Sequence, residues 1–299
     1  MLRNQGKIMY KKSLVLSFFL FIFILFSGCL EDMSSPSGET SVPSEKSAYL
    51  KVHFIDVGQG DSILIRSPHN KYMLIDAGEN SSGDTVVSYL KKEGVEKIDV
   101  LVGTHPDGDH IGGMDKVIDS FEISTVYMPR VSKNTKTFGD VLKGLKKKKL
   151  KIDKPVAGEY IDFDNAIKVQ ILAPNSDKYD DTNNYSIVLK VSYGKTSFLL
   201  TGDAENVSEE EMLEKGYNLK ADVLKVGHHG SRSSTTPKFL SAVSPGYAVI
   251  SAGKGNKYGH PHKKTLKKLK DGNIELYRTD KDGTVVFNSD GKTLQVSNE

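Results

Sequence analysis

Hydrophobic and polar positions along the chain fall into three regimes. Residues 14–26 are an apolar run of 13 broken only by Ser17, and residues 30–47 carry almost nothing apolar and are rich in Ser, Pro, Glu and Gly. From residue 49 the pattern changes to short β-rich runs separated by turn residues. It predicts strands over 49–57, 62–66 and 72–75, punctuated by Gly58-Gln59-Gly60 and by Ser67-Pro68-His69-Asn70. Helical periodicity then alternates with strands: helix 84–93 and strand 98–102, helix 111–120 and strand 125–127, helix 137–148 and a group of strands within 151–172. A second series has strands over 186–191 and 197–200, a helix over 207–215, and a strand over 222–226. The end reads as helix 238–243, strand 247–250, helix 263–270, and strands over 275–277 and 283–288.

Strand groups and helices thus alternate twice, which predicts an α/β (α+β) architecture of two half-domains stacked sheet on sheet with helices outside. No repeat of 20–50 residues is present. The lysines at 146–149 read as a solvated helix end, because Leu142, Leu145 and Leu150 among them suit a single apolar stripe.

The first regime changes the domain picture. Lys11 and Lys12, a short apolar core and Ser27-Gly28-Cys29 describe a lipoprotein-type signal peptide over 1–28, with Cys29 as the lipid attachment site. An uncleaved signal anchor is the alternative. The core is shorter than the roughly 20 residues of a membrane span. Residues 29–48 read as a flexible tether and 49–299 as the folded domain. The formal charge of +3 belongs to the leader: without Arg3, Lys7, Lys11 and Lys12, the 41 basic residues become 37 against 38 acidic ones. A balance near −1 gives no global attraction to nucleic acid or membrane. Cys29 is the one cysteine, so no intramolecular disulfide is possible. Beyond it no apolar run approaches a membrane span.

Chemistry concentrates in the histidines. Six of eight fall into three short motifs: His105 and His110, His228 and His229, His260 and His262. The first reads His105-Pro106-Asp107-Gly108-Asp109-His110 directly after an apolar strand. Four potential ligands in so short a loop cannot all find salt-bridge partners cheaply, whereas divalent cations satisfy such a set. Asp76 and Asp203 also close strands, and His228-His229 again follows one, as ligand-bearing loops at carboxyl ends of strands tend to do.

These residues carry a resemblance. HPDGDH is similar to the H-x-H-x-D-H motif of the metallo-β-lactamase superfamily. DVGQGDS, LIDAG, HPDGDHIGG, NNYSIVL, LLTGD, KVGHHGS and YGHPH follow in the order of the carboxy-terminal domain of the ComEC family of DNA-uptake proteins. The resemblance implies a four-layer αβ/βα sandwich with metals where the sheet edges meet. It implies that His105 and Asp107 hold one metal, Asp109 and His110 the second, and Asp203 both. One of the adjacent histidines completes the second site. His228 is assigned to it as the first after the strand, leaving His229 and Ser231 to face a phosphate. Asp76 and Asn184 would orient this loop system. Asp107 stands where the superfamily has histidine, and the segment 183–186 stands where its third histidine ligand falls, as in the ComEC-like branch. Oxygen ligands there favour manganese relative to zinc, so two divalent ions, Zn or Mn, are expected.

The expected activity is a phosphodiesterase, a nuclease acting on extracellular DNA. Asp109 would orient the nucleophile, His260 would bind a phosphate oxygen or protonate the leaving group, and His262 with Lys257, Lys263 and Lys264 would add positive charge. Hydrolysis of another ester, a thioester or a β-lactam, and a non-catalytic nucleic-acid-binding module, are the rival readings. Expected partners are a nucleic-acid substrate and, through the lipid, the outer face of the cytoplasmic membrane; no protein partner is readable.

Overall fold

Alternation at the two-residue period of a strand sends neighbouring side chains to opposite faces. In the second strand Ile63 and Ile65 enter one hydrophobic cluster while Leu64 enters another. Repeated across both sheets, this builds a core between the sheets and a separate core under each helical layer. The computed structural model describes residues 49–299, so the expected signal peptide, the expected lipid attachment at Cys29 and the expected tether lie outside the described residues.

The first sheet has eight strands in the order β15-β14-β1-β2-β3-β4-β5-β6. They are β1 (Leu50–Phe54), β2 (Ile63–Arg66), β3 (Tyr72–Ile75), β4 (Lys97–Val102), β5 (Glu122–Tyr127), β6 (Ile152–Asp153), β14 (Val285–Ser289) and β15 (Leu294–Asn298). The second has seven in the order β13-β12-β11-β10-β9-β8-β7: β7 (Tyr160–Ile161), β8 (Lys168–Ala173), β9 (Val188–Tyr193), β10 (Thr196–Leu200), β11 (Val223–Lys225), β12 (Tyr247–Ile250) and β13 (Glu275–Arg278). Phe54, Ile63, Ile75 and Val102 of the first sheet meet Ile171, Leu189, Phe198 and Val223 of the second in one apolar layer. Helices α1 (Gly83–Lys92), α3 (Met114–Ser120) and α4 (Lys136–Lys147) cover the first sheet, and α5 (Asn206–Glu214), α6 (Pro237–Val243) and α7 (Lys263–Asp271) cover the second. The result is the expected four-layer sandwich. Among the described residues no helix is long and apolar enough to cross a membrane.

Three local expectations differ. The helix over 111–120 is two pieces, α2 (Gly108–Ile111) and α3 (Met114–Ser120), with Gly112 and Gly113 between them. A Cβ on Gly113 would strike the Ala77 carbonyl. On α4 the buried stripe runs through Val141 and Leu145, while Leu142 is exposed. Lys147 reaches Asp119 at 2.9 Å and Lys148 donates to the Phe121 carbonyl at 2.8 Å, so this basic cluster ties the end of α4 to the end of α3. The edge strand β15 was not expected. Its side chains are largely exposed, so only Leu294 and Val296 leave an apolar signal.

Far from the strand ends discussed next, His53 of β1 is buried and its Nδ1 lies 2.8 Å from the Tyr89 hydroxyl. Burial, with the Lys51 charge beside it, pushes this imidazole down to about 4. The folded chain therefore favours the neutral ring, so its contribution is complete above the ordinary value of 6.5 and is lost as pH falls from there toward 4. The loss is expected to reach roughly 3 kcal/mol, and His53→Gln should remove it. Urea midpoints of the two proteins at pH 7, 5 and 4 check this; parallel profiles would dismiss His53 as the source.

Candidate metal centre

Strands β3 and β4 run parallel in one sheet and β10, β11 and β12 run parallel in the other, so their carboxyl ends feed loops toward one edge of the sandwich. Asp76 follows β3, His105 follows β4, Asp203 follows β10, and His228-His229 follows β11. The residues that start β2 and β9 reach the same edge because those strands run antiparallel to β3 and β10. They bring Asp61 and Ser186.

His110 stands at the centre. Its Nδ1 is 2.8 Å from Asp76 Oδ2 and its Nε2 is 3.2 Å from Asp203 Oδ1, and all three groups are buried. Asp76 is held in turn by the Thr104 amide at 2.8 Å and the Thr104 hydroxyl at 2.6 Å. This carboxylate therefore orients the loop, and its Oδ2, which also accepts the Thr104 hydroxyl, fixes which nitrogen of His110 faces inward. His105 points its Nδ1 at the Thr104 and Ser186 hydroxyls, at 3.1 and 3.3 Å, which also turns its Nε2 inward. Burial, together with the charge on His110, lowers His105 to about 4. Burial opposes charge on His110 too, but the Asp203 and Asp76 carboxylates outweigh it and hold this imidazole well above its ordinary value.

The adjacent histidines take the reverse of the expected orientations. Both occupy the left-handed region, at φ 48° and 50°, a conformation that side-chain-bearing residues enter only at a cost. That turn swings His229 inward, with 1% of its side chain exposed. Its Nδ1 is 3.0 Å from the Ser251 carbonyl, and its Nε2 is 3.3 Å from Asp109 Oδ2 and 3.4 Å from Asp203 Oδ2. A carbonyl only accepts, so Nδ1 carries the hydrogen. His228 turns outward, its Nδ1 2.9 Å from Glu205 Oε1 and its Nε2 3.7 Å from Asp203.

Behind His229 lies a pair that sequence reasoning did not single out. Lys225 is fully buried, and its ammonium is 3.0 Å from Asp61 Oδ2. Asp61 Oδ1 is also 3.4 Å from His229 Nδ1. Burial opposes the Asp61 charge, but Lys225 and then His229 override it and hold the carboxyl at about 2. Asp61 donates its amide to the Asp109 carbonyl at 3.1 Å. That close approach requires Gly60, at φ +117°, where any Cβ would collide with the same carbonyl. The run DVGQGDS, quoted for its resemblance, held this signal.

The remaining sequence-predicted residues divide. Asp107 Oδ1 is 2.7 Å from the Lys133 ammonium, a cation on the loop before α4 that the sequence did not suggest. Asn184 is buried and accepts from the Glu205 and Ser208 amides at 3.2 Å each, so it holds the loop that carries Glu205. His260 shares with Asp107, Asp109, Asp203, His228 and His229 a cleft of about 130 Å3. Ser231 and His262 do not line this cleft: the Ser231 hydroxyl is 2.8 Å from that of Ser233, and His262 Nδ1 accepts the Arg232 amide at 3.0 Å.

Whether these residues suit a cation is decided by their unsatisfied atoms. The Nε2 atoms of His105, His110 and His229 and Oδ1 of Asp203 are buried without an aligned hydrogen bond. Orphaned buried polar groups cost roughly 1–3 kcal/mol each, so four that converge need a partner. Their donor set of nitrogen and carboxylate oxygen suits a divalent transition metal. His105, His110 and Asp203 form one group, and Asp109, His110 and His229 another, with ligand atoms in each within 4.8 Å. The sequence model that describes the metallo-β-lactamase superfamily matches residues 55–254, a span covering all of these groups. This chain belongs to the metallo-β-lactamase superfamily.

Within the superfamily the chain is 34% identical over 254 residues to ComE operon protein 3 of Bacillus subtilis, covering 79% of this chain and 33% of that protein. It is 34% identical over 249 residues to the competence protein ComA of Neisseria gonorrhoeae, covering 83% and 33%. The chain thus spans about a third of the length of these curated relatives. A solved metal-dependent hydrolase of the β-lactamase superfamily shares the fold at a TM-score of 0.51 and 13% identity, over 77% of this chain and 95% of that one. A metallo-β-lactamase fold implies divalent metal binding, for which the edge cluster supplies the donors.

Proposed function

We propose that this superfamily member is a secreted, lipid-anchored, metal-dependent phosphodiesterase, acting as a nuclease on DNA outside the cytoplasmic membrane. The observation that carries this reading is the convergence of three inward Nε2 atoms and Asp203 Oδ1, all buried and without an aligned hydrogen bond, beneath a narrow polar cleft. Similarity to a competence protein and to a ComE operon product supports a nucleic-acid substrate.

Two divalent cations, zinc or manganese, would supply Lewis acidity toward a phosphoryl group at neutral pH. One would be held by His105, Asp107 and Asp203, and the other by Asp109, His110, His229 and Asp203. His229 takes the ligand role in this assignment because its Nδ1 is committed to a carbonyl and its Nε2 faces both carboxylates. Asp109 orients the attacking water from the cleft wall. His228, fixed by Glu205 and more exposed, faces the substrate. His260 lies with its ring 5.3 Å from that of His228, and burial together with the charges of His228 and His229 lowers it to about 4. A neutral His260 can accept a proton or a hydrogen bond but does not serve as a standing cation. Lys257, exposed and set over the Tyr258 ring at the mouth, adds positive charge there, and Lys254, Lys263 and Lys264 are exposed too.

Incubating the purified chain with Mn²⁺ or Zn²⁺ and DNA tests the activity. Cleavage is expected, and it should be abolished by EDTA and restored by added metal. Intact DNA alongside turnover of a chromogenic β-lactam would replace the phosphodiesterase reading with the lactamase one. The anchor is tested separately: Cys29→Ala should release the protein from the membrane fraction or leave its precursor unprocessed, and unchanged retention with normal processing would end the lipoprotein reading.

A further inference from the structure

At the mouth of the cleft an aromatic ring stands unused by the metal cluster. Tyr258 lines the cleft and is 49% exposed. Its ring lies over His260, with centroids 5.8 Å apart and planes 24° from parallel, and the Lys257 ammonium is 5.2 Å from its centroid. The supporting loop is held rigidly by one side chain. Asn256 Nδ2 donates to the carbonyls of Gly253, at 2.9 Å, and His260, at 2.6 Å, while its Oδ1 accepts from the amides of Tyr258, at 3.2 Å, and His260, at 3.0 Å. A preorganised tyrosine with half its surface in water serves no core, and stacking against a planar ligand would bury that surface.

The size of the cleft says which ligand part the ring meets. A ligand pocket for a drug-sized molecule occupies roughly 300–1,000 Å3. The 130 Å3 here admits a phosphodiester linkage but not a nucleoside, so the base attached to a bound phosphate must lie outside, at the mouth. We propose that Tyr258 is a stacking platform for the nucleobase flanking the phosphate in the cleft, with Lys257 beside the strand, and that the substrate class is single-stranded nucleic acid. A base in a duplex has both faces covered by its neighbours, whereas an unpaired base offers a face to an aromatic side chain. This rests on the phosphodiesterase reading and adds the part of the substrate that the metals do not touch.

The chain contains no tryptophan, so Y258W places a single reporter at the mouth. The full chain, loaded with Mn²⁺, is titrated with phosphorothioate-linked tetrathymidylate, which resists cleavage, and with an abasic strand of equal charge. Emission of Y258W is expected to be quenched saturably by the first strand and not by the second. By fluorescence anisotropy with labelled tetrathymidylate, Y258A should bind about tenfold or more weakly than wild type, and Y258F within about twofold. Equal affinity of Y258A and wild type, or emission unmoved at saturation, overturns the platform. If the wild-type protein still cuts DNA in that case, the phosphodiesterase reading survives without it. If the quenching occurs but no strand is ever cut, the platform stands and the hydrolytic reading falls. If no strand is bound or cut, both fall.

Discussion

His229→Ala is expected to lose one equivalent of bound metal and at least about 100-fold in metal affinity, beyond the 10- to 100-fold typical of an outer orienting partner. His228→Ala should keep full stoichiometry. Chain order alone favoured the opposite assignment, since His228 comes first after β11. The backbone reverses it. With both residues at positive φ, His229 folds under the sheet edge and is almost wholly buried, while His228 turns toward Glu205 and the cleft. The Ser251 carbonyl accepts a hydrogen from His229 Nδ1, so Nε2 is the nitrogen aimed between Asp109 and Asp203, where a cation would take the place of its proton. In the His228 variant the loss should fall on turnover, appearing mainly in kcat if its contact forms only in the transition state. Elemental analysis of the purified variants, with steady-state rates on a phosphodiester, measures both. Full metal in His229→Ala together with depletion in His228→Ala would exchange the roles.

Lys225→Met should cost roughly 3–5 kcal/mol of stability, as removing one partner of a buried ion pair does. The methionine fills most of the space of the lysine stem, so the penalty comes from Asp61, left charged among apolar strands with no cation at 3.0 Å. Replacing both members, in Asp61→Asn with Lys225→Met, should recover part of the loss, because no buried charge is then unpaired. Urea denaturation of the single and double variants gives the coupling. Additive losses would mean that Asp61 draws its compensation from elsewhere, such as His229 at 3.4 Å. The single variant should also weaken metal binding, since an unpaired Asp61 competes for the hydrogen on His229 Nδ1.

Much of this molecule was legible in its sequence because the signals are local. A two-residue period marks strands and a 3.6-residue period marks helices, and both depend only on side-chain direction along one element. The alternation of those elements announced two sheets with outer helices. The clustering of His105, Asp107, Asp109 and His110 announced metal chemistry, since so many donors in one loop have few other uses. Where local patterning was weak, so was the reading. β15 has few apolar residues, and Leu142 on α4 is an apolar residue that faces water.

What the tertiary structure alone decided lies at the edge where the sheets meet. Asp61 and Lys225 are separated by well over a hundred residues and come from different sheets, so no periodicity could pair them. The same holds for Lys133 on Asp107 and for Ser251 on His229. The choice between His228 and His229 depended on two backbone angles in a left-handed turn, which residue identity alone does not disclose outside glycine. Sequence therefore specified which chemical groups are brought to the site, because composition and spacing are properties of the chain. Their partners, tautomers and directions were specified by the packing of one sheet on the other, because those depend on distances between segments that have no local signature.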